Sequence, residues 1–262
     1  MLRGNRKIRL IIGAGFVLFA LFRYCSNAEI SPYTQEKQHI GISESEEITM
    51  GLNAAPQMAH QYGGLHPDTQ YQAAVDRVGQ HLVKSSVAKS SSYKFDFHLL
   101  ADEDAINAFA LPGGQIFITY ALFSKLENID QLAGIIGHEI GHVLGRHSAE
   151  RLAKDGLTQG ILTGVAVGID PSAAQSASAI AQLINMKYGR DDELQSDELG
   201  VQFMIQAGYN PEALIGVMKI LKAVAGRNRI PEFQSTHPDP ENRIEKIKSA
   251  IKKYRKYKIQ VH

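Results

Sequence analysis

His138-Glu139-Ile140-Gly141-His142 is the stretch that decides how this chain is read. Side chains four apart on an α-helix lie on one face, so both imidazoles can aim at a single cation. Glu139 stands one position after the first histidine and cannot join the same tetrahedron, but it can reach a water bound to that ion. Zinc lowers the pKa of such a water towards ~7, and a nearby carboxylate can take its proton as the water attacks a peptide carbonyl. Three fixed positions also arise by chance, as two surface histidines beside a solvated glutamate. The flanks argue otherwise. Leu132, Ile135, Ile136, Ile140, Val143 and Leu144 recur at helical spacing, and Asn128 with Gln131 resembles a capping box. Such a helix is buried, and two histidines with a carboxylate inside a core are costly unless something pairs them.

A third ligand would complete the site. A metzincin pattern puts a histidine after His142-x-x-Gly-x-x; Gly145 fits, but Ser148 holds the required place and His147 comes one position early. Continued as a helix, the chain turns His147 about 180° from His138 and away from the metal. That makes it a structural histidine or one that supports a ligand. The other source is a carboxylate on a later helix. In the stretch from Tyr188 to Asp197, Glu193 and Asp197 are four apart and share a face. Glu193 can then ligate while Asp197 accepts a hydrogen bond from the far nitrogen of a ligand histidine and fixes its tautomer. Asp191, Asp192 and Glu198 read as solvent-facing. Spacing alone also leaves Glu193 open as an ordinary exposed helix carboxylate.

Outward from these helices the signals are coarser. Asp68 can cap a helix carrying Tyr71, Val75, Val78 and Leu82, and an earlier one runs from about Glu46 to Tyr62 with Pro56 as a kink or break. Phe95, Phe97 and Leu99 alternate with Lys94, Asp96 and His98 as a strand with one buried face. A second strand, Gln115 to Tyr120, follows the turn signal Pro112-Gly113-Gly114. Further helices are expected over about Ser176–Ala207, from near Pro211, and from Asp239-Pro240 with Ile244, Ile247, Ile251 and Tyr254 on one side. The expected fold is α+β and mainly helical, with a small antiparallel sheet beside the active-site helix.

With 262 residues and a formal charge of +1, the chain has room for one well-packed domain, or at most two small ones, and no reason to bind nucleic acid. Arg3, Arg6, Lys7 and Arg9 precede an apolar run from Leu10 to Phe22, and Ser26-Asn27-Ala28 offers a small-x-small cleavage site. That is the layout of a secretory signal. The run is short of the ~20 residues that span a bilayer, though Ile8 and Tyr24 could extend it into an uncleaved anchor. Either way the basic end stays in the cytoplasm and the rest is exported. The only cysteine, Cys25, lies inside this segment. The division expected is a signal peptide or anchor over 1–28, a polar linker over 29–43 and a peptidase domain over 44–262.

The sequence resembles the membrane-associated gluzincin zinc metallopeptidases, the HtpX-like and CAAX-prenyl-protease-like enzymes, and most nearly their single-domain exported bacterial members. The resemblance runs from about Ser43 to about Lys256. It rests on Asn107 to Gly114, on His138 to His142 with His147 to Arg151, on Arg190 to Asp197, and on Thr236-His237-Pro238. It implies one zinc ion on His138, His142 and Glu193, with Glu139 as base and Asp197 behind a ligand. It also implies an edge strand at Asn107, Ala108, Phe109 and Ala110 on which an extended polypeptide substrate adds through main-chain hydrogen bonds. His237 would steady the oxyanion or contact the metal, and Arg243 would help position its loop. The resemblance further implies unfolded or misassembled envelope proteins as substrates and a place in the bacterial periplasm, or in the inner membrane facing it.

Two other stretches carry alternatives. Gly156, Gly160, Gly164 and Gly168 recur in the apolar run from Leu157 to Ile169, which reads either as close helix packing or as an element touching the membrane over the cleft. The basic run from Lys246 to Lys258 reads as a solvated helix face.

Overall fold

The structure, a computed structural model, describes residues 6–168, 188–224, 232–238 and 242–260. The N-terminal apolar run forms helix α1 (Arg6–Ser26). Its window Lys7–Ser26 has a mean hydropathy of 1.8 and is, by length and composition, able to cross a membrane. The polar segment after it, read above as a linker, carries a hairpin of β1 (Ala28–Ile30) antiparallel to β2 (Lys37–His39). Its turn is made by polar side chains. Ser31 Oγ accepts from the amides of Tyr33 and Thr34, and Gln35 takes the left-handed backbone at φ 60°. No apolar alternation marks such strands.

Helix α2 (Glu44–Gln61) runs on through Pro56, and α3 (Thr69–Ser85) starts where Asp68 accepts from the amides of Gln70 and Tyr71. Three strands follow, β3 (Asp96–Leu100), β4 (Ala108–Ala110) and β5 (Gln115–Thr119), then the short α4 (Tyr120–Phe123). The sheet is mixed, not antiparallel: β5 lies in the middle, parallel to β3 and antiparallel to β4. Alternation tells which face a strand buries and says nothing of its direction. The turn after β4 folds β5 back between the other two. Gly113 there has φ 83°, and a Cβ on it would lie 2.3 Å from the Ile48 Cα, so only glycine fits. Across the three strands the rings of His98, Phe117 and Phe109 stack at centroid distances of 4.6 and 5.0 Å.

The remaining elements are α5 (Ile129–Leu144), α6 (His147–Gly168), α7 (Arg190–Ala207), α8 (Ala213–Val224), α9 (Glu232–Thr236) and α10 (Arg243–Gln260). The helix expected from Ser176 is described from Arg190 onward; its earlier part, Ile169, and the Asp239-Pro240 start lie outside the described residues. Asn128 caps α5 by accepting from the Gln131 amide, while the Gln131 side chain accepts from Glu127, one residue beyond a strict capping box. From Gln131 to Leu144 every residue of α5 is buried. The helix lies backbone to backbone against α7. A Cβ on Gly141 would stand 2.9 Å from the Ser196 carbonyl oxygen, and one on Gly200 would stand 3.0 Å from the His138 amide nitrogen. This seam carries the residues of α7 to the histidines of α5.

The elements form two compact units. One holds α1, the hairpin and α6 from Ala149 onward. Within it α6 meets α1 at glycines, as a Cβ on Gly160 would lie 2.5 Å from the Ala20 Cβ and one on Gly164 2.6 Å from the Gly13 carbonyl oxygen. The other unit holds the sheet, α2 to α5 and α7 to α10.

Candidate active site

Helix α5 presents His138 and His142 one turn apart, and their Nε2 atoms lie 3.0 Å from each other. Across the glycine seam α7 brings Glu193, with Oε2 at 3.5 Å from His138 Nε2 and Oε1 at 3.4 Å from His142 Nε2. His237, just after α9, sets Nδ1 3.0 Å from Glu193 Oε1 and 3.4 Å from His138 Nε2. Donor atoms of these four residues all fall within 4.8 Å of one another. Each of the four, and Glu139, is at most 1% exposed.

The donor set suits zinc. Four atoms at 2.0–2.1 Å from a zinc ion stand about 3.3–3.4 Å apart at the corners of a tetrahedron, and the separations just given bracket that edge. Both oxygens of Glu139 and Nε2 of His237 are buried and make no hydrogen bond among the described residues. They face each other at 3.8 Å. Buried polar atoms this close to a donor cluster, with no partner of their own, leave hydrogen bonds open for a water or an ion.

Charge in this core is balanced locally. His138 Nδ1 lies 2.9 Å from Asp197 Oδ1, and Arg243 closes on the same carboxylate at 2.7 and 2.9 Å while reaching Glu193 Oε2 at 3.2 Å. Burial alone would raise the Asp197 pKa, but the Arg243 guanidinium and His138 hold it below the ordinary value. Burial works against a charged His138 too, yet hydrogen bonds to Asp197 and Glu193 push it up to about 10. Burial lowers His142 well below its ordinary value and raises Glu139 above its own. In Glu193 the pull of His237, with hydrogen bonds from the two α5 histidines, outweighs burial and leaves the pKa low.

His147 differs from the sequence reading. It is outside the donor cluster, but it does not face away: Nδ1 lies 2.8 Å from His142 Nδ1 and Nε2 lies 2.8 Å from Gln195 Oε1. The helical extrapolation fails because α5 stops at Leu144 and Arg146 turns the chain with φ 54°. The Arg243 guanidinium, expected to help position the His237 loop, also sits on Asp197 and Glu193.

Asn107, Ala108, Phe109 and Ala110 lie on or next to β4, which is an edge of the sheet, and are all buried. The Asn107 side chain turns to Tyr62, whose hydroxyl binds Glu232 of α9, and the Phe233 amide donates to the Ile106 carbonyl. Two rings at the site escaped the sequence reading. Tyr188 stacks on His142 at 3.9 Å and 23°, with its hydroxyl 3.1 Å from Ser148 Oγ; Phe233 stacks on His237 at 4.4 Å and 15°. An aromatic residue in the polar stretch before α7 was the available signal for Tyr188. Phe233 had none.

Comparison with known proteins places the chain in a family. The model of peptidase family M48 matches residues 69–251. The chain is 29% identical to the mitochondrial metalloendopeptidase OMA1 of Schizosaccharomyces pombe over 253 residues, which cover 94% of the chain and 73% of that protein. It is 29% identical to the beta-barrel assembly-enhancing protease of Escherichia coli K12 over 204 residues, 73% of the chain and 40% of that protein. With the human mitochondrial metalloendopeptidase OMA1 the identity is 27% over 269 residues, 95% of the chain and 51% of that protein. The chain thus spans most of the yeast relative and about half or less of the other two.

Proposed function

Since this chain belongs to peptidase family M48 and is a metalloendopeptidase, we propose that its ion is zinc, held by His138, His142 and Glu193, with Glu139 as the general base. Zinc in such a site supplies Lewis acidity to the scissile carbonyl and acidity to the attacking water. The chain's own groups do the rest. Glu139 takes the water's proton and passes it to the leaving amide nitrogen, and its burial favours holding that proton between the two transfers. Asp197, fixed by Arg243, orients His138. His237 Nε2, 3.8 Å from Glu139, is placed to donate to the developing oxyanion. An extended polypeptide adds along β4 at Asn107 to Ala110, where an edge strand leaves main-chain groups for a partner. The observation that carries this reading is the convergence of two Nε2 atoms and the Glu193 carboxylate next to the unpartnered oxygens of Glu139.

Unfolded or misassembled proteins of a bacterial envelope are the substrates we infer, with the catalytic unit in the periplasm or facing it from the inner membrane. The support is the exposed apolar surface of α1, its basic N-terminal flank and the likeness to a protease named for beta-barrel assembly. In this reading residues 1–28 are the signal or anchor, and the peptidase domain begins at about residue 44. The packing of Gly160 and Gly164 on α1 favours an anchor that is kept.

The presence of His237 as a fourth donor favours a second reading, a closed, catalytically silent zinc site in an assembly factor. Wild type and Glu139→Gln separate the two. One zinc per chain in both proteins, with cleavage of an unfolded protein such as reduced casein only by the wild type, is the expected result. A wild type that binds zinc and never cleaves establishes the silent site, and a Glu139→Gln variant that still cleaves removes Glu139 from the mechanism.

A further inference from the structure

We propose that His147 and Gln195 form an uncharged hydrogen-bond relay that fixes the tautomer of His142 and so presents its Nε2 lone pair to the metal. The proposal rests on the metal-binding reading above and makes His147 and Gln195 positioning residues.

The local fold is shaped for this contact. Helix α5 ends at Leu144, and Arg146 takes a left-handed backbone that residues with a Cβ adopt at a cost. Its guanidinium is tied to the buried Glu47 by Nε and Nη2, each at 2.8 Å. The turn swings His147 back beneath His142. A Cβ on Gly145 would lie 2.4 Å from His147 Nε2, so the glycine leaves the room that the ring occupies. A strained residue, a buried ion pair and a required glycine all serve one placement.

The direction of the relay follows from donor and acceptor chemistry. The Gln195 oxygen, 2.8 Å from His147 Nε2, can only accept, so that nitrogen carries the proton. The relay requires a neutral His147, whose single N–H is then on Nε2 and whose Nδ1 accepts. Near it lie His142 Nδ1 at 2.8 Å and, more distantly, the Ser196 hydroxyl at 3.4 Å. His142 then holds its proton on Nδ1 and leaves Nε2, the atom next to Glu193 and His138, free to bind. The opposite order would put a proton on Nε2 and block the ligand. Asp197, with Arg243 behind it, lies against His138 Nδ1, whereas an imidazole with an amide behind it lies against His142 Nδ1.

Gln195 is half-buried, so it can be changed without opening the core. Gln195→Met keeps the length and removes the acceptor; Gln195→Glu restores an acceptor. Histidine nitrogen shifts in ¹⁵N-labelled, metal-free protein report the tautomers, and chelator competition reports zinc affinity. The wild type is expected to show His147 protonated on Nε2 and His142 on Nδ1. Gln195→Met should mix the tautomers and lower zinc affinity about tenfold, in the range typical of groups behind a metal ligand, and Gln195→Glu should recover both. A wild-type His147 protonated on Nδ1 overturns the relay. So does a Met variant with unchanged tautomers and affinity, or an equal loss in the Met and Glu variants, which would mark simple packing. Wild type that binds no zinc while its tautomers are as expected overturns the metal reading and leaves the relay standing.

Discussion

The two units of this protein break the usual rules of burial in opposite directions. The unit with the sheet hides five ionisable groups of the site, together with Asp197 and Arg243, at 3% exposure or less. The unit with α1 leaves Ile11, Leu18, Phe19 and Phe22 more than 60% exposed. Buried charge is costly without a partner, and all of these groups but Glu139 have one at hydrogen-bond distance, so the unit with the sheet is tightly constrained. Exposed apolar side chains ask for an apolar surrounding and constrain little else. Damage in the first unit should therefore show as lost stability and lost metal, and in the second as lost partition between phases.

The largest effect is expected from Asp197→Ala. It leaves Arg243 buried beside one fewer carboxylate and frees His138 to rotate, a loss of about 3–5 kcal/mol for breaking a buried pair. Urea denaturation of the metal-free protein measures it, and a loss below 1 kcal/mol would show that water shares the guanidinium. Next comes Gly141→Ala. With the Ser196 carbonyl 2.9 Å from the new Cβ, α5 and α7 must part, at about 1–3 kcal/mol for overpacking. Zinc affinity should fall together with stability, because the same seam sets the distance from the histidines to Glu193.

A smaller effect distinguishes charge from packing. The folded-state pKa of Asp197 is held below the ordinary carboxylate value, so in the acid range the unfolded chain binds more protons than the native one. The stability contributed by Asp197 is complete above pH ~4 and is lost as pH falls through its folded pKa. Asp197→Asn should flatten that acid limb in denaturation curves taken between pH 5 and 3. In the α1 unit, Phe19→Ser with Phe22→Ser should leave the zinc content and the peptidase unit's melting temperature unchanged. It should weaken sedimentation with lipid vesicles severalfold. A drop in melting temperature instead would show that these rings pack within the protein.

How much of this is legible beforehand follows the same divide. The α5 histidines are readable because helical periodicity fixes both the burial of Ile135, Ile136 and Ile140 and the common face of His138 and His142. Asp68 is readable as a cap because capping is local chemistry. The pairing of Glu193 and Asp197 follows from their spacing, but their meeting with α5 depends on Gly137, Gly141 and Gly200, whose role is visible only once two helices touch. The direction of β3 against β5 is a long-range property, and alternation carries no trace of it. His147 is misdirected by extrapolating a helix past its end, since nothing in Gly145-Arg146 announces a left-handed turn at the arginine. The β1–β2 hairpin is written in polar turn contacts that hydrophobic pattern cannot reveal.

The contact between Ser148 Oγ and Tyr188 OH, 3.1 Å apart, has a bearing on how such a protein can diversify. The chain leaves the metal-site unit just after Ser148, and Tyr188 belongs to the same unit again, so the interval 149–187 is bracketed by a single clasp. Closing a longer loop costs only about 0.6 kcal/mol for each doubling of its length. A change of length in that interval is therefore a small cost at the clasp itself. A catalytic centre assembled this way is portable: what is grafted at the clasp can change where the enzyme resides or what it meets, with the chemistry carried along intact.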